Sequence, residues 1–195
     1  MRVIEMVGMM DKPAELGIIE RNRAVFVLVD IQDRLLDVMH GKEELIQNSN
    51  RLVEASKILG IPLIVSEQYP KGLGPTSARI PLPSDTRPIE KASFSCFGSD
   101  EFIERLHHMG KDTLIIFGTE AHICVLKTAL DALGKGLQAH VVADAVSSRK
   151  ASDKQYALDR MRQSGVFIVS AEMALFQLMD KAGSEEFKSV SALIK

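Results

Sequence analysis

The chain has no tryptophan, two tyrosines and two cysteines in 195 residues. Two thiols, Cys96 and Cys124, are too few for a disulfide framework, and a chain this long needs none to bury a full core in one domain. Such usage fits a reducing cytosol, so the expected location is cytoplasmic. No apolar run approaches roughly 18 residues, so no transmembrane helix is expected. The opening stretch MRVIEMVGMMDKPAELG lacks a long apolar segment and carries Glu5 and Asp11, which argues against a signal peptide. An excess of one charge is missing too. A net charge of -2 implies neither nucleic acid nor an anionic membrane surface as a partner. Ligand spacings for metals are absent: there is no Asp-x-His or His-x-x-x-His pair, His40 and His140 are isolated, and His107 and His108 fall on a surface helix. Gly72 and Gly74 are followed by no Walker or dinucleotide pattern. Neither metal nor cofactor is expected.

What is present is an alternation of apolar runs and helical patterns. Ala24 to Val29 (AVFVLV) is continuous and rich in valine, as a parallel strand buried on both faces should be. Further strands are expected at 62–66, 112–117, 137–143 and 166–169, with a weaker one just before Lys91. Helical spacing covers 31–38, 43–59, 99–109, 121–133, 152–164, 171–182 and 185–194, with glycines closing several of them. Between Glu67 and Pro88 lie five of the seven prolines, a long irregular connection of the kind that usually carries function. The pattern predicts an α/β fold: a three-layer α/β/α sandwich around a mainly parallel, Rossmann-like sheet of about six strands. Residues 23–195 form the expected domain and residues 1–22 an N-terminal extension. That apolar extension and the C-terminal helices favour a homo-oligomer.

Ligands in such folds bind outside the carboxyl ends of the strands. Asp30, Lys91, Cys124 and Asp144 all fall at or just after strand ends. Cys124 sits in DTLIIFGTEAHICVL, a strand cut by Gly118 and followed by a helix start. Open amides and the positive helix end there favour a thiolate and can hold an oxyanion. A buried cysteine is also simply a small hydrophobe. Asp30 reads either as a cap for the next turn or as a working acid/base, and Lys91 either as a solvated lysine or as a cation for the thiolate. Together they offer a nucleophile, a proton carrier and a positive charge on one rim. Cys96 reads as a packed thiol. His122 either lines the pocket or is a polar first-turn residue. Glu67, Gln68 and Tyr69 either face a substrate or anchor the loop. Phe94, Phe97 and Tyr69 are candidate apolar walls, and Gln32 or Gln68 a candidate hydrogen-bonding group. Ser147, Ser148 and Arg149 read as a helix entry.

The blocks VLVDIQ, EKASFSCF and GTEAHICV, in that order and frame, resemble the isochorismatase-like cysteine hydrolases from about Arg23 onward. SEQYPKGLGPT, VVADAVSSR and RMRQSGV are similar to the subgroup of isochorismatase domain-containing proteins. The resemblance implies a catalytic triad of Asp30, Lys91 and Cys124. It also implies a non-proline cis peptide between Thr119 and Glu120 and an oxyanion hole made by the Glu120 and Cys124 amides. Nicotinamidases of this family carry an Asp/His metal site after the second strand. Here that segment, EQYPKGLGPT, has no histidine. True isochorismatases can lack the cysteine, so its presence favours attack on a carbonyl. The implied activity is hydrolysis of a small-molecule amide, ureido or related C–N bond through an acyl-enzyme. A non-catalytic binding or scaffold protein and a thiol-redox protein are the alternatives.

Overall fold

The computed structural model describes residues 16–195; the first 15 residues of the expected extension lie outside them. Six strands form one sheet: β1 (Ala24–Val29), β2 (Leu63–Gln68), β3 (Ile89–Lys91), β4 (Thr113–Thr119), β5 (Gln138–Ser147) and β6 (Phe167–Val169). Their order is β3-β2-β1-β4-β5-β6, and every pairing is parallel. Among the described residues there are eight α-helices: α1 (Asp33–Leu36), α2 (Lys42–Leu59), α3 (Pro70–Leu73), α4 (Asp100–Met109), α5 (Leu126–Gly134), α6 (Ala151–Gln163), α7 (Ala171–Gln177) and α8 (Glu185–Ile194).

Side chains alternate across a strand, and β1 supplies both cores at once. Phe26 and Leu28 pack with Leu52 and Val53 of α2, Leu175 of α7 and Val190 of α8. Val25, Val27 and Val29 face the other way, toward Phe102 of α4, Ala129 of α5 and Met161 of α6. This is the expected three-layer α/β/α sandwich. The chain runs outward from β1 to β3, then returns to place β4 on the other side of β1. The sheet's switch point therefore lies between the carboxyl ends of β1 and β4, where Asp30 and Thr119 stand.

Gly118 makes that junction possible. It pairs with Val29, has φ +120°, and a Cβ on it would collide with the Val29 carbonyl oxygen. Only a residue without a side chain fits.

Several elements differ from expectation. The fifth strand does not stop before Asp144 but runs to Ser147, because a register shift opposite Ile116–Gly118 lets pairing with β4 resume. Asp144 is thus inside the strand, and its Oδ1 accepts from the Ala171 N–H at the start of α7, 2.8 Å away. The helix expected over 31–38 shrinks to one turn, and the one expected over 171–182 ends at Gln177. Among the described residues no helix is long and apolar enough to cross a membrane.

Candidate functional site

The end of β1 is fixed from three sides. Asp30 has φ +50°, a conformation that Asp adopts more readily than most residues. Its N–H donates to the Ser66 carbonyl at 3.1 Å, and its own carbonyl accepts from the Thr119 hydroxyl at 2.7 Å. The carboxylate is closed to solvent and doubly held. Ser66 Oγ donates to Oδ1 at 2.7 Å and Lys91 Nζ to Oδ2 at 2.6 Å. The Lys91 side chain is equally buried. The cap alternative for Asp30 and the solvated alternative for Lys91 both give way to a buried ion pair.

Lys91 ends the edge strand β3, and its remaining partners are oxygens. Gln68 Oε1 lies 2.6 Å away, and the carbonyls of Ser93 and Phe94 lie 3.2 and 3.3 Å away. Gln68 is itself clamped. Its Nε2 donates to the Ala92 carbonyl at 2.9 Å and its N–H to Gln32 Oε1 at 2.8 Å.

Cys124 follows β4 through the Thr119–Glu120 peptide, which is cis. The turn that carries it is not an ordinary helix start. Ala121 to Val125 form a π turn: the N–H groups of Ile123 and Val125 both donate to the Glu120 carbonyl, and the Leu126 N–H reaches back to Ala121. The Cys124 N–H lies between these donors and makes no bond to the Glu120 carbonyl. The sulfur is nearly buried, and the thiol donates weakly to Gln68 Oε1 at 3.9 Å. Burial pushes the Cys124 thiol up, to about 12; the negative charge of Asp30 adds to this and the Lys91 ammonium opposes it. The resting group is therefore a neutral thiol, not the thiolate that its place after a strand suggested. Desolvation outweighs the cation.

The second thiol belongs to the same network. Cys96 is fully buried, 3.6 Å from Ser66 Oγ, and its N–H donates to Thr128 Oγ1 at 3.0 Å. Burial raises its pKa, and Asp30 raises it further. This is the packed thiol expected.

The remaining candidates separate clearly. Gln32 is fully buried and spends its amide on backbone, donating to the carbonyls of Gln68 at 3.0 Å and Gly74 at 2.5 Å. It anchors the loop after β2, as does Glu67, whose Oε1 accepts from both the N–H and the hydroxyl of Thr76. Phe97 packs edge-to-face on Phe102 in the core, its ring centroid 5.0 Å away. Tyr69 and Phe94 are more than half exposed. His122 Nδ1 lies 2.9 Å from Ser148 Oγ. The Glu120 side chain turns to Arg149, whose Nε donates to Oε2 at 3.0 Å. A cleft of about 280 Å³ opens beside Tyr69, Pro70, Lys71, Glu90, Lys91 and Ala92. A larger one of about 540 Å³ lies at the opposite, amino-terminal end of the sheet, by Gly60 to Leu63 and Arg105, away from these groups. Among the described residues no cluster of three or more His, Cys, Asp or Glu side chains could hold a metal ion.

The hydroxyls of Ser66 and Thr119 and the carbonyls of Ser93 and Phe94 were not anticipated as partners. The one available signal was the hydroxyl that closes the apolar run of β2.

A buried acid–cation pair and a thiol thus stand at the switch point of an all-parallel sheet between two helical layers, in a three-layer α/β protein. The chain belongs to the isochorismatase family: residues 24–173 match the isochorismatase domain. It is 38% identical over 182 residues to isochorismatase domain-containing protein 2 of Danio rerio, covering 93% of this chain and 91% of that one. To isochorismatase domain-containing protein 1 of the same organism it is 36% identical over 180 residues, or 92% of this chain. The match spans only 64% of that relative's length. A solved structure named as the MAR1 ribonuclease from Caenorhabditis elegans superposes with a TM-score of 0.85 at 36% identity, over 90% of this chain and 91% of that one. The family fold supports a hydrolase-like function.

Proposed function

We propose that the domain over residues 23–195 is a cysteine-dependent hydrolase of a small-molecule amide, ureido or related C–N bond, working through a Cys124–Asp30–Lys91 triad. The observation that carries this reading is the buried Asp30–Lys91 pair beside the Cys124 thiol, at the carboxyl ends of three strands. A carboxylate held dry by a lysine and a serine is a costly arrangement for stability alone. It is useful as a proton carrier.

Asp30 takes the thiol proton as the sulfur attacks the substrate carbonyl, and Lys91 balances the charge that forms. The tetrahedral oxyanion is held by the N–H groups of Glu120 and Cys124. Asp30 then protonates the nitrogen, the C–N bond breaks, and an amine or ammonia leaves. The thioester remains until Asp30 draws a proton from water, the resulting hydroxide equivalent adds, and the acid departs with the thiol restored. Tyr69, Phe94 and His122 are substrate-facing candidates. Gln32 and Phe97 serve the frame instead. We place the protein in the cytoplasm as a homo-oligomer that needs no metal or cofactor.

The ribonuclease name of the worm protein raises RNA as a substrate. A net charge of -2 offers no basic excess for a polyanion, which favours a small molecule. The test is intact-mass analysis after incubation with a library of small amides and ureides, beside a single-stranded RNA. An acyl adduct on Cys124 with release of amine, both lost in Cys124→Ala, is the expected result. Binding without adduct or cleavage would favour the non-catalytic alternative. A reducible Cys96–Cys124 bridge would favour redox chemistry, and cut RNA a nuclease.

A further inference from the structure

The Lys91 ammonium and the Cys124 thiol meet on a single atom. Gln68 Oε1 accepts from Lys91 Nζ at 2.6 Å and from the Cys124 thiol at 3.9 Å. The amide has one orientation available. Rotated by half a turn, its NH₂ would face the ammonium and its oxygen the Ala92 carbonyl, so two hydrogen bonds would become two repulsive contacts. The backbone of Gln68 is pinned as well, with its N–H and carbonyl both taken by the Gln32 side chain. Lys91 has three N–H bonds and four oxygen acceptors within 3.3 Å. Its donors are fully engaged without the sulfur.

We propose that Gln68 is a positioning residue that insulates Cys124 from Lys91, its side-chain carbonyl engaging the ammonium and turning lone pairs toward the sulfur so that the empty site holds a protonated thiol. This rests on the cysteine chemistry proposed above and deepens it by naming what restrains the nucleophile. A thiol can donate to Gln68 Oε1, whereas a thiolate there meets a second pair of electrons. The charged and titratable groups around the sulfur are Asp30 from the end of β1, Lys91 from β3 and Cys96 from the turn before α4. His122, two residues away, is held by Ser148. Replacing Gln68 alone removes none of these groups and takes a partner from only one of them, the Lys91 ammonium. The neutral thiol described above is the state such insulation maintains. A substrate carbonyl or amide that competes for the Lys91 ammonium would lift it, so the cation would act on the sulfur only when the site is filled.

The experiment is the pH dependence of iodoacetamide alkylation at Cys124, located by peptide mass mapping to separate it from Cys96. It compares wild type with Gln68→Met, Gln68→Leu and the Gln68→Met/Lys91→Met double variant. Gln68→Met keeps length and removes the acceptor. Its alkylation midpoint should fall by about one pH unit or more, about a tenfold faster reaction at pH 8. Gln68→Leu removes the same acceptor with a branched side chain and no added charge, so its midpoint should fall likewise. It carries the test if the methionine variant fails to fold. A merely structural glutamine would leave both midpoints in place in folded protein, and that outcome overturns the proposal. Lys91→Met added to Gln68→Met tests whether the cation is the source of the fall: the double variant should return toward the wild-type midpoint, and a midpoint that stays low overturns the insulation. The acyl adduct on Cys124 separates the insulation from the chemistry beneath it. An adduct with no fall in Gln68→Met removes only the insulation, and no adduct with any amide or ureide removes the cysteine chemistry itself.

Discussion

Lys91 Nζ lies 2.6 Å from Asp30 Oδ2, and both side chains are shut off from solvent. One partner sits at the end of a central strand and the other on the edge strand, two positions away in the sheet. Removing either leaves an uncompensated buried charge. Asp30→Asn and Lys91→Met are each expected to lose about 3–5 kcal/mol of stability in urea unfolding. The double variant should lose clearly less than the sum, while showing no turnover. Additive losses would mean that the two charges are not a unit.

The neutral thiol of Cys124 gives a second prediction, with its sign worked out. An unfolded cysteine loses its proton near pH 8.5, whereas in the fold it is held to about 12. Between those values the unfolded chain binds fewer protons than the native one, so stability falls as pH rises. Thermal unfolding from pH 8 to 10 should show this decline, and Cys124→Ala should flatten part of it. Cys96, raised in the same direction, accounts for a further part that Cys96→Ala removes.

His140 predicts a loss on the acid side. It is fully buried in β5, stacked on Phe167 at 5.0 Å, and neither ring nitrogen has a hydrogen-bond partner among the described residues. Burial lowers its pKa to about 4. Its contribution is complete above the ordinary histidine value near 6.5 and is lost as pH falls through that value toward 4. The full effect is about 3 kcal/mol. His140→Phe should keep the stack and make urea midpoints between pH 6.5 and 4 less steeply dependent on pH.

Gly118→Ala is expected to destabilise by roughly 2–4 kcal/mol or to prevent folding. The added methyl must move the Val29 carbonyl or distort the end of β4. Any variant that folds should alkylate Cys124 with an altered pH profile, because the Thr119 bond to Asp30 lies next to the displaced residue. Wild-type stability with a wild-type profile would contradict the close packing of β1 and β4.

Much of this was legible in the sequence. AVFVLV announces a strand buried on both faces, and its alternation decides which residues enter each core. Asp30, Lys91 and the stretch around Cys124 could be assigned to one rim because a parallel α/β sheet leaves few alternatives. What stayed hidden were facts of pairing rather than of pattern. The extra length of β5 comes from a register shift with β4, which no local composition reports. Gln32 looked available because a buried amide is told from a free one only by the backbone carbonyls it meets. These belong to Gln68 and Gly74, far along the chain. Phe97 sits beside an exposed Phe94, yet one packs on Phe102 and the other does not. The π turn is invisible because its register differs from an α turn by a single hydrogen-bond step.

The order in which the site's parts occur along the chain has a consequence for biosynthesis. Asp30 emerges from the ribosome first, its clamps Ser66 and Lys91 next, with Gln68 between them, and Cys124 last. The carboxylate and its lysine can thus close on each other as soon as the first three strands meet, before the sulfur has been made. A nascent chain arrested before Gly118 would carry the proton-handling residues with no nucleophile to activate. The proposed nucleophile, Cys124, arrives only after β4, at a place whose other parts precede it in the chain.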